Sequence, residues 1–134
     1  MKDIVIRNAI YDDNKDMEDF YFYGAIKQCL KYKMILKTSF VAEHKGKVIG
    51  IIICEKSLIG AYDIKILEVN NLYKRNGVGT LLLKKVKEVT KNKTLTVYYP
   101  RNNNVESFYE KNGFIIGDKV KVCVYNEEAS NLNI

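Results

Sequence analysis

Ile4 and Ile6 alternate with Val5 and Arg7 at the start of the chain, which predicts a strand that Tyr11-Asp12-Asp13-Asn14 ends. Asp12, Asp13 and Asn14 are all candidate helix N-caps, and up to about residue 33 the spacing turns helical. Met17, Phe20, Tyr21, Ala25, Gln28 and Cys29 recur at three and four, with Gly24 weakening the middle enough to suggest two short helices. Residues 39–43 and 48–55 read as strands joined by the turn His44-Lys45-Gly46-Lys47, and 62–70, apolar on both faces through Ile64, Ile66, Leu67 and Val69, reads as a central strand. After the loop 71–80 the period changes again. Val78, Leu82, Val86 and Val89 mark an amphipathic helix whose wet side carries Lys84, Lys85, Lys87 and Glu88. A strand over 94–99 stops at Pro100. A polar loop, Arg101-Asn102-Asn103-Asn104, then leads to a short helix over 105–111 that ends at Asn112-Gly113. Residues 114–116 and 120–125 predict a last hairpin, and 126–134 a frayed tail. The order β-α-β-β-β-α-β-α-β-β is that of an α+β fold with a mostly antiparallel sheet.

The 134 residues suit one domain spanning 1–134, with 47% apolar and 28% charged side chains. No apolar run approaches the ~18 residues of a membrane helix, and the N-terminus shows no signal-like apolar stretch. Cys29, Cys54 and Cys123 lie far apart in apolar surroundings and read as buried reduced thiols, which fits a cytoplasmic protein. The lone His44 offers no zinc set, so no metal is expected. The net charge of +6 favours anionic partners without choosing among nucleic acid, a phosphorylated cofactor and plain solubility.

The most informative chemistry is the pair Gly77 and Gly79 at a strand-to-helix junction. A helix N-terminus presents unpaired N–H groups and partial positive charge, and here Lys74 and Arg75 stand beside it, so the junction is suited to a phosphate. It does not match a P-loop, and Leu82 stands where a dinucleotide-binding loop has its third glycine. A simple tight turn before a surface helix is the rival reading.

Lys74-Arg75-Asn76-Gly77-Val78-Gly79 resembles the Gln/Arg-x-x-Gly-x-Gly/Ala loop of the GCN5-related N-acetyltransferase (GNAT) superfamily, with Lys74 at the Gln/Arg position. Val69 to Tyr73 resembles that family's approach to the loop. Downstream, Asn102 to Phe114 resembles its Asn-x-x-Ala-x-x-x-Tyr-Glu-x-x-Gly-Phe helix, with Val105 replacing the alanine. The resemblance covers the whole element order. It implies a GNAT-like sheet of about six or seven strands with three or four helices, acetyl-CoA as acyl donor, and transfer to a primary amine by direct attack in a ternary complex. Cofactor contacts would come from Val69, Lys74, Arg75, Asn76, Gly77, Val78, Gly79, Thr80 and Asn102. The backbone of 75–80 would hold the pyrophosphate, the strand around Val69 the pantetheine arm, and Tyr109 would protonate the departing CoA thiolate. Without the resemblance, Tyr109 is a packing residue, Asn102 a turn residue and Lys74 a solvated cation.

For the amine's proton, Glu68 is the expected catalytic carboxylate. Asp63, Glu43, Glu106 and a water-mediated base are alternatives. Period two places Asp63 and Glu68 on opposite faces unless a bulge intervenes. Phe20, Tyr21, Phe22, Tyr23 and Tyr32, with Asp12, Asp13, Asp16, Glu18 and Asp19, form a candidate lip for a cationic acceptor, or simply the wet acidic face of a helix. The expected partner is a small-molecule or protein amine, bound by a monomer or homodimer. An RNA-linked amine, motivated by the lysines at 84, 85, 87, 91 and 93, ranks lower for lack of aromatic-basic interleaving. A non-catalytic acyl-CoA-binding regulatory module is the other alternative.

Overall fold

The computed structural model describes residues 3–99, 103–117 and 122–125. Seven strands form one sheet in the order β1-β2-β3-β4-β5-β7-β6. They are β1 (Ile4–Asn8), β2 (Phe40–His44), β3 (Lys47–Lys56), β4 (Tyr62–Val69), β5 (Leu95–Tyr98), β6 (Ile115–Ile116) and β7 (Val122–Tyr125). All pairs are antiparallel except β4 with β5. The helices are α1 (Tyr23–Cys29), α2 (Lys33–Leu36), α3 (Val78–Val89) and α4 (Asn103–Lys111), with 3₁₀ turns at Tyr11–Met17 and Asn71–Tyr73. The α+β architecture and mixed, mostly antiparallel sheet match the sequence expectation. No helix among the described residues is long and apolar enough to cross a membrane. The expected tail at 126–134 lies outside the described residues, as does the 118–121 portion of the last hairpin.

β3 is buried from Val48 to Cys54 and feeds both faces of the sheet. On one face Ile49, Ile52 and Cys54 join Val78, Leu82, Leu83 and Val86 of α3. On the other, Val48, Ile51 and Ile53 join Met17, Phe20, Ile26, Leu30 and Ile35. Helix α3 comes close to β3 because Gly50 lacks a side chain: a Cβ there would lie 3.1 Å from Val78 Cγ1 and 3.2 Å from Leu82 Cδ1.

Three expectations change. The 12–33 region is one 3₁₀ turn and two short helices, and the chain breaks at 18–22 rather than at Gly24, which lies inside α1. Asp13 does not cap as the first residue. It sits in the first turn, accepts from Ile10 N at 2.8 Å and pairs with Arg7, at 2.8 Å from Nη2. Arg7 also reaches Glu43 at 2.8 Å, so these two carboxylates hold the Arg7 guanidinium firmly protonated. Among the cysteines, Cys54 is buried, with its thiol pushed up to about 12 chiefly by burial, but Cys29 is only half-buried. The side chain of Cys123 lies outside the description.

The register between β3 and β4 shifts, with Ile53 opposite Ile66 and Cys54 opposite Ile64, so Lys65 is bulged. The shift shows in the packing: Ile64 belongs to the α3 face and Ile66 to the opposite one. A five-residue spacing therefore puts Asp63 and Glu68 on the same face, away from α3. Regular alternation would have separated them.

Candidate functional site

The parallel ladder between β4 and β5 covers Tyr62↔Leu95, Asp63↔Thr96 and Ile64↔Val97. β4 then continues to Val69 while β5 ends at Tyr98, so among the described residues the two strands part and the β5-side edge of β4 is unpaired beyond Ile64. A cavity of about 510 Å³ lies at this parting on the α3 face. Leu67 and Val69 line it from β4. The following loop and the start of α3 contribute Tyr73, Lys74, Arg75, Gly77, Val78, Gly79 and Thr80. Helix α4 closes the other side with Asn104, Val105, Phe108 and Tyr109.

The loop is built by its own polar side chains. Asn70 Oδ1 accepts from Leu72 N at 2.9 Å, which turns the chain out of β4. Asn76 Nδ2 donates to the carbonyls of Tyr73 and Lys74 at 3.2 and 3.3 Å. Arg75 and Gly77 both adopt left-handed backbone, at φ +66° and +79°. Such alternation across successive residues is the backbone form of an anion nest. At Gly77 a Cβ would be strained by that φ, and it would point into open space. The first helical bond of α3 runs from Leu81 N to Gly77 O at 3.0 Å, so the N–H groups of Val78, Gly79 and Thr80 have no partner within the helix. Lys74 and Arg75 are exposed beside them. Phosphate chemistry fits this end of the cavity, because backbone donors, the helix dipole and two cations converge there.

Gly79 differs from Gly77. Its φ is ordinary, and a Cβ there would meet Phe108 at 3.6 Å and Val69 Cγ2 at 3.9 Å. It marks the seat of α4 against α3 and β4, where alanine would also fit.

Tyr109 is 5% exposed and fixed by the way α4 ends. Gly113, at φ +89°, takes the left-handed position. Phe114 N then donates to Tyr109 O at 3.0 Å and Gly113 N to Glu110 O at 3.0 Å, the paired bonds of a Schellman cap. The apolar contact of that cap is Phe114 against Tyr109, ring centroids 5.2 Å apart. Tyr99, just after β5, stacks on the ring with centroids 5.7 Å apart. Lys87 of α3 donates to the Asn112 carbonyl, tying the end of α4 to α3; burial lowers the pKa of its ammonium. The packing reading of Tyr109 and the functional one are thus compatible: the stack holds the side chain at the cavity wall.

Of the residues expected from sequence, the cavity brings together Val69, Lys74, Arg75, Gly77, Val78, Gly79, Thr80 and Tyr109. Asn76 braces the loop from outside the lining. Asn102 lies outside the described residues. Glu68 follows Leu67 in β4 but faces the other side of the sheet, where its carboxylate accepts from Tyr21 N at 2.6 Å and Phe22 N at 2.9 Å. Asp63, on that same face, accepts from the Thr96 hydroxyl. Leu67, Tyr73, Asn104, Val105 and Phe108 were missed as lining residues. Leu67 could have been found by counting back two from Val69, and Phe108 by its place beside Tyr109. The stacking of Tyr99 depends on where β5 ends against α4, which no local pattern gives. His44 Nδ1 lies 3.3 Å from the Tyr73 hydroxyl, beside the cavity wall. Among the described residues no group of three His, Cys, Asp or Glu side chains could hold a metal ion.

A family model described as an acetyltransferase (GNAT) domain matches residues 36–116. Solved structures share the fold at low identity. The PH1933 protein of Pyrococcus horikoshii is 21% identical at a TM-score of 0.75, covering 93% of this chain and 99% of its own. The PaiA N-acetyltransferase of Thermoplasma acidophilum, solved in complex with coenzyme A, is 19% identical at 0.71, covering 92% and 98%. Arabidopsis thaliana Naa50, in complex with the bisubstrate analogue CoA-Ac-MVNAL, is 19% identical at 0.65, covering 90% and 95%. No curated protein sequence matches the chain.

Proposed function

The chain belongs to the acetyltransferase (GNAT) family, and on that premise we propose that it is an acetyl-CoA-dependent N-acetyltransferase acting on a primary amine. We read residues 1–134 as one such domain. The observation that carries the proposal is the continuity of the cavity. It runs from the open start of α3, where phosphate chemistry fits, along the unpaired edge of β4 to Tyr109. The complexes of PaiA with coenzyme A and of Naa50 with a CoA-peptide analogue support the same donor for this chain.

Acetyl-CoA supplies an activated thioester. In this reading the backbone of residues 75–80 binds its pyrophosphate, with Lys74 and Arg75 adding charge and Asn102 bonding near the pantetheine. The open edge of β4 near Val69 pairs with the pantetheine amides and offers a backbone N–H to the thioester oxygen. The amine nitrogen forms its bond to the carbonyl carbon, the C–S bond breaks, the amine's proton passes to water, and Tyr109 gives its phenolic proton to the departing sulfur. A phenol is suited to this task because its reference pKa of ~10 keeps it protonated at neutral pH and near a thiol in acidity.

Calorimetric titration with acetyl-CoA tests the reading. The wild type is expected to bind saturably, and the Gly77→Glu, Gly79→Glu double variant to lose binding. A folded wild type that does not bind acetyl-CoA at high micromolar concentration overturns it.

A further inference from the structure

We propose that Glu68 is a positioning residue for the acceptor: it clasps the backbone of Tyr21 and Phe22 so that their ring pair forms a wall selecting primary amines with an aromatic or large apolar group. The proposal rests on the acetyltransferase reading above and deepens its acceptor side.

The clasp is a long-range contact. One carboxylate oxygen of Glu68 accepts from Tyr21 N at 2.6 Å and the other from Phe22 N at 2.9 Å. Both donors are backbone groups in the break between the 3₁₀ turn and α1, where no helical carbonyl is in register to order them. Charge-assisted bonds of this kind are the stronger sort. They pin a segment whose side chains the fold leaves uncovered: Tyr21 is 86% and Phe22 44% exposed, with the rings edge-to-face at 4.8 Å. Two exposed aromatic rings held by their backbone are preorganised, so a ligand that covers them pays little ordering entropy.

Placement ties the wall to the reaction. Glu68 sits between Leu67 and Val69, whose side chains line the donor cavity on the other face. Among the described residues β4 and β5 form no pair beyond Ile64 and Val97. An amine resting on Tyr21 and Phe22 approaches the same stretch of β4 from the face opposite the cavity. Charge there favours an ammonium group. Glu18 and Asp19 are exposed immediately before the ring pair and Glu68 lies beneath it. Lys27 of α1 is turned over the Tyr23 ring at 5.9 Å. An acceptor with a cationic head and an apolar body matches both features.

A clasp and a general base give opposite kinetic signatures. Acetyl transfer is measured to phenethylamine and to ethylamine, which share the amine and differ in the ring, alongside acetyl-CoA affinity and the amide exchange of Tyr21 and Phe22 by NMR. The wild type is expected to favour phenethylamine in kcat/KM. Glu68→Gln, which keeps shape but turns an NH₂ toward one donor, should raise KM for phenethylamine about tenfold with kcat within about twofold, as loss of ground-state positioning requires. Acetyl-CoA affinity should hold, and the two amides should exchange faster. Glu68→Asp, too short to span both donors, should behave alike, and Tyr21→Ala should erase the preference for the ring. A fall in kcat at unchanged KM makes Glu68 a proton acceptor and overturns the proposal. So does a wild type that transfers to neither amine or shows no preference. A wild type that fails to bind acetyl-CoA overturns the functional reading and the acceptor claim with it. That failure is told apart from failure of the clasp by amide exchange, which needs no ligand.

Discussion

On one face of the sheet the twelve-residue helix α3 buries Val78, Leu82, Leu83 and Val86 against β3 in step with its own period. On the other face residues 11–36 cross in three short pieces, and three carboxylates tie the region to the sheet. Asp13 takes Arg7 and Ile10 N, Asp16 takes Val48 N at 2.9 Å, and Glu68 takes Tyr21 and Phe22 N. Periodic burial fixes the α3 face. Carboxylate bonds to backbone N–H groups and to Arg7 fix the other face, where the pieces are too short to do so by helical period.

The largest effect should come from the periodic face. Leu82→Ala removes a fully buried side chain that packs at Gly50, and is expected to cost about 3 kcal/mol of unfolding free energy by chemical denaturation. Acetyl-CoA affinity should fall with it, because the start of α3 loses its seat on β3. A loss of stability with affinity unchanged would break the link between helix packing and donor site. Next, Tyr109→Phe keeps the aromatic stack and removes the hydroxyl. Transfer should drop about 100-fold in kcat at unchanged acetyl-CoA affinity, within the usual range for a general acid. Unaltered kcat would leave Tyr109 as packing alone.

The two glycines sharpen the comparison within the α3 face. Gly77→Ala forces an L-residue into φ +79° and should cost about 1–2 kcal/mol in stability. Gly79→Ala places a methyl at ordinary contact distance from Phe108 inside a helix, and should be neutral or stabilising by up to about 1 kcal/mol. Equal thermal shifts in the two variants would mean that the loop relaxes out of its left-handed form.

The same division decided what the sequence could reveal. Val78, Leu82 and Val86 announce α3 by spacing alone, and Asn112-Gly113-Phe114 announces the cap that fixes Tyr109, because these signals are local. The position of the loop was legible because a glycine pair stood where a strand period gave way to a helix period. Residues 11–36 were not legible in the same way. The break at 18–22 is held by two bonds between residues 46 and 47 positions apart, and spacing carries no trace of them. The bulge at Lys65 was equally hidden, since a bulge is a mismatch between two strands and only the pair defines it. One bulged residue reversed the expected relation between Asp63 and Glu68.

The smallest effect separates the faces by their thiols. Cys54 lies in the α3-side core, its thiol pushed up to about 12 by burial first and by Asp63 and Glu55 after it. Cys29 packs at the edge of the other core and is raised by the same cause while half-buried. A raised thiol stays neutral in the folded state after its unfolded counterpart, near a reference pKa of ~8.5, has ionised. The unfolded state then binds fewer protons, so stability is full below pH ~8.5 and falls as pH rises toward 12. The expected loss by pH ~9 is on the order of 1 kcal/mol, read as a lowered denaturation midpoint, and Cys54→Ala should flatten that slope more than Cys29→Ala. Maleimide labelling followed by site-resolved mass spectrometry should modify Cys29 first under native conditions and Cys54 only on unfolding. Labelling of Cys54 at the rate of Cys29 would mean that the α3 face opens as readily as the clasped one, and the contrast between a periodic and a tethered face would fail.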